Sequence, residues 1–128
     1  ETAIALTAAT GDLTVGVGYS SGSFIDSNSA SASEVDSAEV MTAGAKYVSG
    51  DITFAVGVAD GEAKDTTTFG DQGSETDSYE SASASVDYVV ASGVTATFGF
   101  TEETASDENT AKTANSGSSW YIGANVSF

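Results

Sequence analysis

The sequence predicts an all-β protein in which seven antiparallel strands follow one another along the chain. Apolar residues occupy every second position in seven stretches, which is the period of a β-strand. Short glycine-containing turns and long polar connections alternate between these stretches, and no window repeats apolar residues at helical spacing. The predicted strands are residues 2–9, 13–20, 40–48, 52–59, 80–90, 94–101 and 118–128.

The connections divide into two kinds. Residues 10–12 (TGD), 49–51 (SGD) and 92–93 (SG) have the composition of tight hairpin turns, since Gly supplies positive φ and Asp or Ser supplies local hydrogen bonds. The other three connections are long and polar and cover roughly 20–39, 60–79 and 102–118. They contain or border all the acids except Glu1, Asp12, Asp51 and Asp87. Short turns at one end of the sheet and long loops at the other are typical of an outer-membrane β-barrel.

The two faces of the predicted sheet favour the same architecture, an antiparallel transmembrane β-barrel of the outer-membrane type. One face is apolar, and the other carries mostly Thr, Ser, Gly and Ala, which suit a lumen wall better than the charge-rich surface of a soluble protein. Aromatic residues such as Tyr19, Tyr47, Tyr88 and Trp120 lie near strand ends, as in the aromatic girdles of membrane barrels. A soluble antiparallel domain with one buried face is the alternative that alternation alone allows.

Composition excludes several classes of function. The chain has 19 acids, only three lysines as bases and a net charge of −16, so it has no means of neutralising a row of phosphates, and we expect no nucleic-acid partner. It contains no His and no Cys, which rules out a Ser-His-Asp triad, a histidine base and a thiolate metal site. Glu102 and Glu103 are adjacent, but as strand neighbours they would point in opposite directions. We therefore expect no enzymatic activity.

The odd number of strands bears on domain organisation. Single-chain bacterial barrels have an even number of strands, and the first predicted strand would descend from the long-loop side. We therefore expect residues 1–128 to be one barrel segment, the C-terminal part of a larger barrel. A strand hidden in a long connection is the alternative, and residues 65–70 (DTTTFG) are the candidate.

Two stretches, ATGDLTVGVGYS (9–20) and VSGDITFAVGVADGE (48–62), have the form of a hairpin followed by a long loop. GVTATFGFTEE (93–103) followed by SSWYIGANVSF (118–128) has the form of a last hairpin. Together these stretches resemble the C-terminal portion of general bacterial porins, particularly the acidic, Gly- and Ala-rich porins of alphaproteobacteria. The resemblance is one of pattern, and its terminal-Phe strand is shared by many outer-membrane barrels.

This resemblance implies a trimeric, water-filled channel of about sixteen strands in the outer membrane of a Gram-negative bacterium, through which small hydrophilic solutes and ions diffuse passively. The partners it implies are outer-membrane lipid and lipopolysaccharide, two further copies of the chain, and the barrel assembly machinery during insertion. In that family the assembly machinery reads the terminal strand, whose matching positions are Trp120, Ile122, Ala124, Val126 and Phe128. The family's constriction pairs acidic with basic rows, and this chain departs from it by containing no Arg.

Four residues are candidates for lining the pore. Lys46 and Asp87 are the charges that the predicted register places inside a strand on the polar face, and Tyr121 and Asn125 share that face. Charged side chains in such positions help to set ion selectivity. The alternative is that Lys46 and Asp87 lie at the rim and only hydrate it.

The long acidic connections offer hard oxygen ligands for Ca²⁺, although none has the spacing of an EF-hand loop. No cofactor is required by this interpretation, and calcium is a possible addition. Two alternative functions remain open: an acidic surface or structural β protein that binds calcium through its loops, and a non-porin outer-membrane barrel with a packed interior. The candidate calcium ligands are Asp60, Glu62, Asp65, Asp71, Glu75 and Asp77.

Overall fold

The computed structural model describes residues 1–25, 35–65, 75–106 and 114–127, and within these it describes the side chains of 1–23, 37–64, 76–106 and 114–127. Seven antiparallel strands form one sheet in simple sequential order, so every neighbour in the sheet is also the neighbour along the chain. None of the described residues forms a helix long and apolar enough to cross a membrane. The strands are β1 (Thr2–Thr10), β2 (Leu13–Ile25), β3 (Val35–Ser49), β4 (Ile52–Asp65), β5 (Glu75–Ala91), β6 (Val94–Ser106) and β7 (Asn115–Val126).

The three predicted tight turns are confirmed, and glycine is the reason they close. Gly11, Gly50 and Gly93 have φ angles of 56°, 58° and 76°, a region that side chains with a Cβ rarely enter. Each turn leaves only two residues between paired strand ends, for example Thr10 opposite Leu13. The glycines thus fix the register of three hairpins, β1–β2, β3–β4 and β5–β6.

Each turn is also held by the strand that follows its hairpin. The carbonyl oxygen of Asp12 accepts a hydrogen bond from the amide of Val48 at 2.9 Å, and Asp51 accepts one from Val89 at the same distance. The carbonyl of Gly93 accepts the third, from the amide of Ser127 at 2.8 Å. Two of these contacts join one hairpin to the next at the short-turn end of the sheet, and the third joins the β5–β6 turn to the residue that follows β7.

The strands are longer than predicted at their loop ends. The connections expected over roughly 20–39, 60–79 and 102–118 are shorter, because β2 to β6 continue through part of them and β7 begins at Asn115. Backbone pairing continues there with Ser, Thr and Glu side chains, so the ladder extends beyond the point where hydrophobic alternation stops. The candidate strand at 65–70 lies outside the described residues except for Asp65.

One irregularity interrupts the register at the short-turn end. Val89 pairs with Thr95 and Ala91 pairs with Val94, which leaves Val90 as an extra residue in β5. Such a bulge bends the strand and increases its twist. The regular pairing of β5 therefore extends to Val89, and Val90 has no direct cross-strand partner on β6.

The register places the alternating residues of all seven strands on two distinct faces. The apolar face consists of alternate residues from Ile4 to Ala8, Leu13 to Tyr19, Met41 to Tyr47, Ile52 to Val58, Ala82 to Tyr88, Val94 to Phe100 and Trp120 to Val126. The residues between them form the polar face. A representative polar row runs Thr7, Gly16, Gly44, Gly57, Ser83, Thr101 and Ser119 across the seven strands.

No hydrophobic core is present among the described residues. None of their hydrophobic side chains is buried, and apolar-face residues such as Leu6, Val56 and Ile122 are 68%, 57% and 77% exposed. A soluble sheet buries one face against a second layer, and the described chain supplies no such layer. The sheet is held by its backbone ladder, and the apolar face needs a cover from outside the described residues.

Replacing a turn glycine by alanine tests the role of the turns. Gly50→Ala should destabilise the protein by about 1–2 kcal/mol, because only the left-handed φ opposes the new Cβ. Gly93→Ala should cost more, since its Cβ would also lie 2.6 Å from the carbonyl oxygen of Ser127. Urea unfolding of protein inserted in lipid vesicles measures both. Gly117→Ala, which has open space and ordinary φ, is the control, and an equal loss in all three variants would contradict this account.

Candidate functional site

The apolar face is a continuous hydrophobic surface that spans all seven strands. One row of this face carries Val15, Val56, Phe100 and Trp120, with alanines at the intervening positions on β3 and β5. A depression of about 800 Å³ has Leu6, Val17, Met41 and Val58 of this face among the residues that line it. An exposed apolar surface of this extent marks contact with a partner or a membrane.

Aromatic side chains border the apolar face at both ends. Tyr47 and Phe54 are direct cross-strand partners close to the short turns, and Tyr88 lies opposite Ile52 at the same end. Towards the loop end, the Tyr19 hydroxyl donates a 3.1 Å hydrogen bond to Glu39. A tyrosine with its ring on the apolar surface and its hydroxyl on a carboxylate is suited to a membrane–water boundary.

Carboxylates follow the apolar face directly on its loop side and form what we call the acidic rim. They point to the same side of the sheet as the apolar residues and are exposed. Glu39 is directly opposite Glu62, and Asp60 is directly opposite Glu80, which is a repulsive arrangement across strands. On β3 to β6, the last hydrophobic residue of this face is thus followed by a carboxylate two residues further along the strand towards the loops. The acidic rim comprises Glu39, Asp60, Glu62, Glu80 and Glu102.

One cation approaches this rim in the part of the chain with described side chains. Lys64 Nζ lies 3.8 Å from Glu62 Oε2, with both side chains about half exposed. An exposed pair at this distance contributes little to stability, so the rim stays strongly acidic.

The polar face is lined by small side chains. The Ser83 hydroxyl donates a 3.4 Å hydrogen bond to the carbonyl oxygen of Gly57. Gly99 is buried because the ring of Tyr121 lies directly over it, where a Cβ on residue 99 would stand. The ring of Tyr121 therefore lies along the polar face instead of projecting from it.

The predicted pore-lining residues all lie on the polar face. Asp87 is half-buried and accepts a 2.6 Å hydrogen bond from the hydroxyl of Thr97, its direct partner on β6. Lys46 is exposed and pairs with Ala55, one row from Asp87 and two strands away. Strand spacings put their Cα atoms roughly 12 Å apart, so they share a wall without forming an ion pair. Asn125 lies opposite Thr95 near the short turns.

Two further acidic residues lie on this face because β5 and β6 extend further than the alternation indicated. Glu103 lies opposite Ser81 and accepts a 3.1 Å hydrogen bond from the hydroxyl of Tyr79. Asp77, a calcium candidate, pairs with Ala63 on the same face. Continuing the two-residue period through the polar positions 102–106 would have placed Glu103 correctly.

The calcium candidates do not converge in the described region. Asp60 and Glu62 are on the acidic rim, whereas Asp77 is on the opposite face of the sheet. No group of three carboxylates that could hold a metal ion occurs within the described residues. Asp71 lies outside them, and only the backbones of Asp65 and Glu75 are described, as a pair at the end of the β4–β5 ladder. The calcium site stays a prediction.

The predicted assembly-signal strand is β7. Trp120, Ile122, Ala124 and Val126 all lie on the apolar face and pair with β6, and Trp120 is 71% exposed. Phe128 lies outside the described residues.

An antiparallel meander with one uncovered apolar face and one small, polar face is the arrangement of an outer-membrane β-barrel, and the fold is of that class. The chain is similar in structure to the "Outer-membrane expressed OmpT of Vibrio cholerae", with a TM-score of 0.75 and 16% sequence identity. The match covers 97% of this chain but 40% of that one, so the chain spans less than half the length of its neighbour. No family model and no curated protein matches the sequence.

Adjacent substitutions on β5 distinguish the two faces. Ala84→Lys places a charge in the middle of the apolar face and should destabilise the membrane-inserted protein by about 2–4 kcal/mol. Ser83→Lys introduces the same side chain on the polar face and should leave stability nearly unchanged. Urea unfolding in lipid vesicles compares the two variants. Equal destabilisation by both would contradict the assignment of the apolar face to lipid.

Proposed function

We propose that the chain supplies seven strands to an outer-membrane porin, a water-filled channel through which small hydrophilic solutes and ions diffuse passively. The observation that carries this proposal is the contrast between the faces of a sheet without a described core. The apolar face is uncovered across seven strands, while the opposite wall consists of Gly, Ala, Ser and Thr with a few charges. Lipid would cover the first face, and water would cover the second.

The size of the polar-face residues supports an open lumen over a packed one. In a barrel of eight strands the inward side chains just fill the interior. Here the polar rows contain mostly glycine, alanine, serine and threonine, and Tyr121 lies flat over Gly99. Such side chains are too short to fill even a narrow barrel, which favours a wider barrel with water inside.

The edges of the sheet support a larger barrel. β1 and β7 each pair with one neighbour among the described strands. Backbone groups left unpaired in hydrocarbon cost several kcal/mol each, so both edges need partner strands. We propose that further strands complete a barrel of about sixteen, that three copies associate, and that the site is the outer membrane of a Gram-negative bacterium.

The remaining partners follow from the same proposal. The acidic rim would lie at the level of lipopolysaccharide headgroups, where calcium could reduce its repulsion, and the alternate apolar residues of β7 would be read by the assembly machinery. The polar face would act by diffusion and electrostatics, without catalysis.

Cysteine accessibility tests the channel directly, because the sequence contains no native Cys. Thr42 and Ala43 are adjacent on β3, are both exposed, and lie on the polar and apolar faces respectively. In lipid, Thr42→Cys should react with a charged, membrane-impermeant methanethiosulfonate, and the reaction should lower single-channel conductance. Ala43→Cys should be protected.

The two alternative functions predict other patterns of cysteine labelling and channel formation. A packed, non-porin barrel would protect Thr42→Cys and give no ohmic channels in a planar bilayer. A soluble surface protein would expose one or both cysteines without any lipid and would remain in solution without detergent. Either pattern would contradict the porin proposal.

A further inference from the structure

The charges on the polar face are unequal in number. Among the strand residues with described side chains, three carboxylates lie on this face, those of Asp77, Asp87 and Glu103, against one ammonium, that of Lys46. The side chain of Glu1, just before β1, also lies beside the polar-face position of Gly22. The other described lysine, Lys64 of β4, is on the opposite side of the sheet with the acidic rim. The described wall therefore has an excess of negative charge.

Asp87 is fixed close to the short-turn end of this wall. The Thr97 hydroxyl donates to its carboxylate at 2.6 Å, and the two residues are direct cross-strand partners. A neutral hydroxyl orients a carboxylate but brings no compensating charge. At roughly 12 Å from Asp87 by strand spacing, Lys46 is beyond a Debye length at physiological salt. It offsets little of the field of Asp87.

Glu103 has the same kind of support towards the loop end. The hydroxyl of Tyr79 donates to it at 3.1 Å from the neighbouring strand. Its cross-strand partner Ser81 is six positions along β5 from Asp87, or about 20 Å at the rise of an antiparallel strand. Two carboxylates, each held by a neutral donor, thus stand at separate depths along the wall.

We propose that this wall makes the channel prefer cations, with Asp87 and Glu103 as the residues that determine the preference. This inference rests on the proposed function and names the class of solute that the pore favours. Each carboxylate raises the local concentration of cations and lowers that of anions within about one Debye length, 10 Å at 0.1 M salt. The favoured solutes are small inorganic cations and cationic organic molecules.

The test uses the full native polypeptide in a planar bilayer, with the reversal potential measured across a KCl gradient near 0.1 M. Asp87→Asn and Glu103→Gln should each lower the ratio of cation to anion permeability roughly twofold, and the double variant should lower it further. Lys46→Gln should raise the ratio. All of these effects should shrink at 1 M salt, where the Debye length is about 3 Å.

Two matched controls remove the same charge from the other side of the sheet. Asp60→Asn and Glu102→Gln lie on the acidic rim, and Glu102 is adjacent to Glu103. Both controls should leave the permeability ratio unchanged. Single-channel conductance at 1 M salt, similar in all variants, shows that each has folded and inserted.

The possible failures are distinguishable. Channels whose permeability ratio is unaffected by Asp87→Asn and Glu103→Gln, or is altered equally by the two controls, would overturn this inference and leave the porin proposal standing. Failure of the unmodified protein to form ohmic channels would overturn the proposed function and the inference together.

Discussion

The backbone ladder between neighbouring strands is the interaction on which the rest of this structure depends. The described residues contain no buried hydrophobic side chain, so no core holds the sheet in shape. Six antiparallel pairings hold it instead, and glycine turns set the register of three of them, β1–β2, β3–β4 and β5–β6. A ladder without a core is marginal in water, but it is strongly favoured in hydrocarbon, where backbone groups have no other partners.

The backbone ladder places the side chains of the chain on two chemically different faces of the sheet. Because side chains alternate along each strand, one set lies on the apolar face and the other on the polar face, and a single position along the chain separates the two. Glu102 and Glu103 illustrate this division: the first belongs to the acidic rim, and the second accepts a hydrogen bond from Tyr79 on the polar wall. Adjacent acids therefore lie in different surroundings, and net charge alone would not distinguish them.

Much of the fold could be predicted from the sequence, because its main signals are local. The two-residue period places Leu13, Val15 and Val17 together, and a Gly beside Asp or Ser marks each tight turn. The loop-side ends of the strands could not be predicted, since pairing there involves Ser, Thr and Glu without hydrophobic alternation. The face of Glu103 follows from the sequence only if the two-residue period is continued through these polar positions, and its hydrogen bond with Tyr79 is a contact between strands. The ring of Tyr121 over Gly99 is a contact between strands, and no local pattern encodes it.

The central claim is that the apolar face contacts lipid, and Trp120 can report on this directly. It is the one tryptophan of this sequence, lies on that face and is 71% exposed. The emission of Trp120 is obtained by subtracting the fluorescence of the Trp120→Phe variant from that of the unmodified protein. In vesicles of phospholipids brominated on their acyl chains, this emission should be strongly quenched, while aqueous iodide should have little effect on it. Quenching by iodide with no effect of brominated lipid would contradict the account, because Trp120 would then face water.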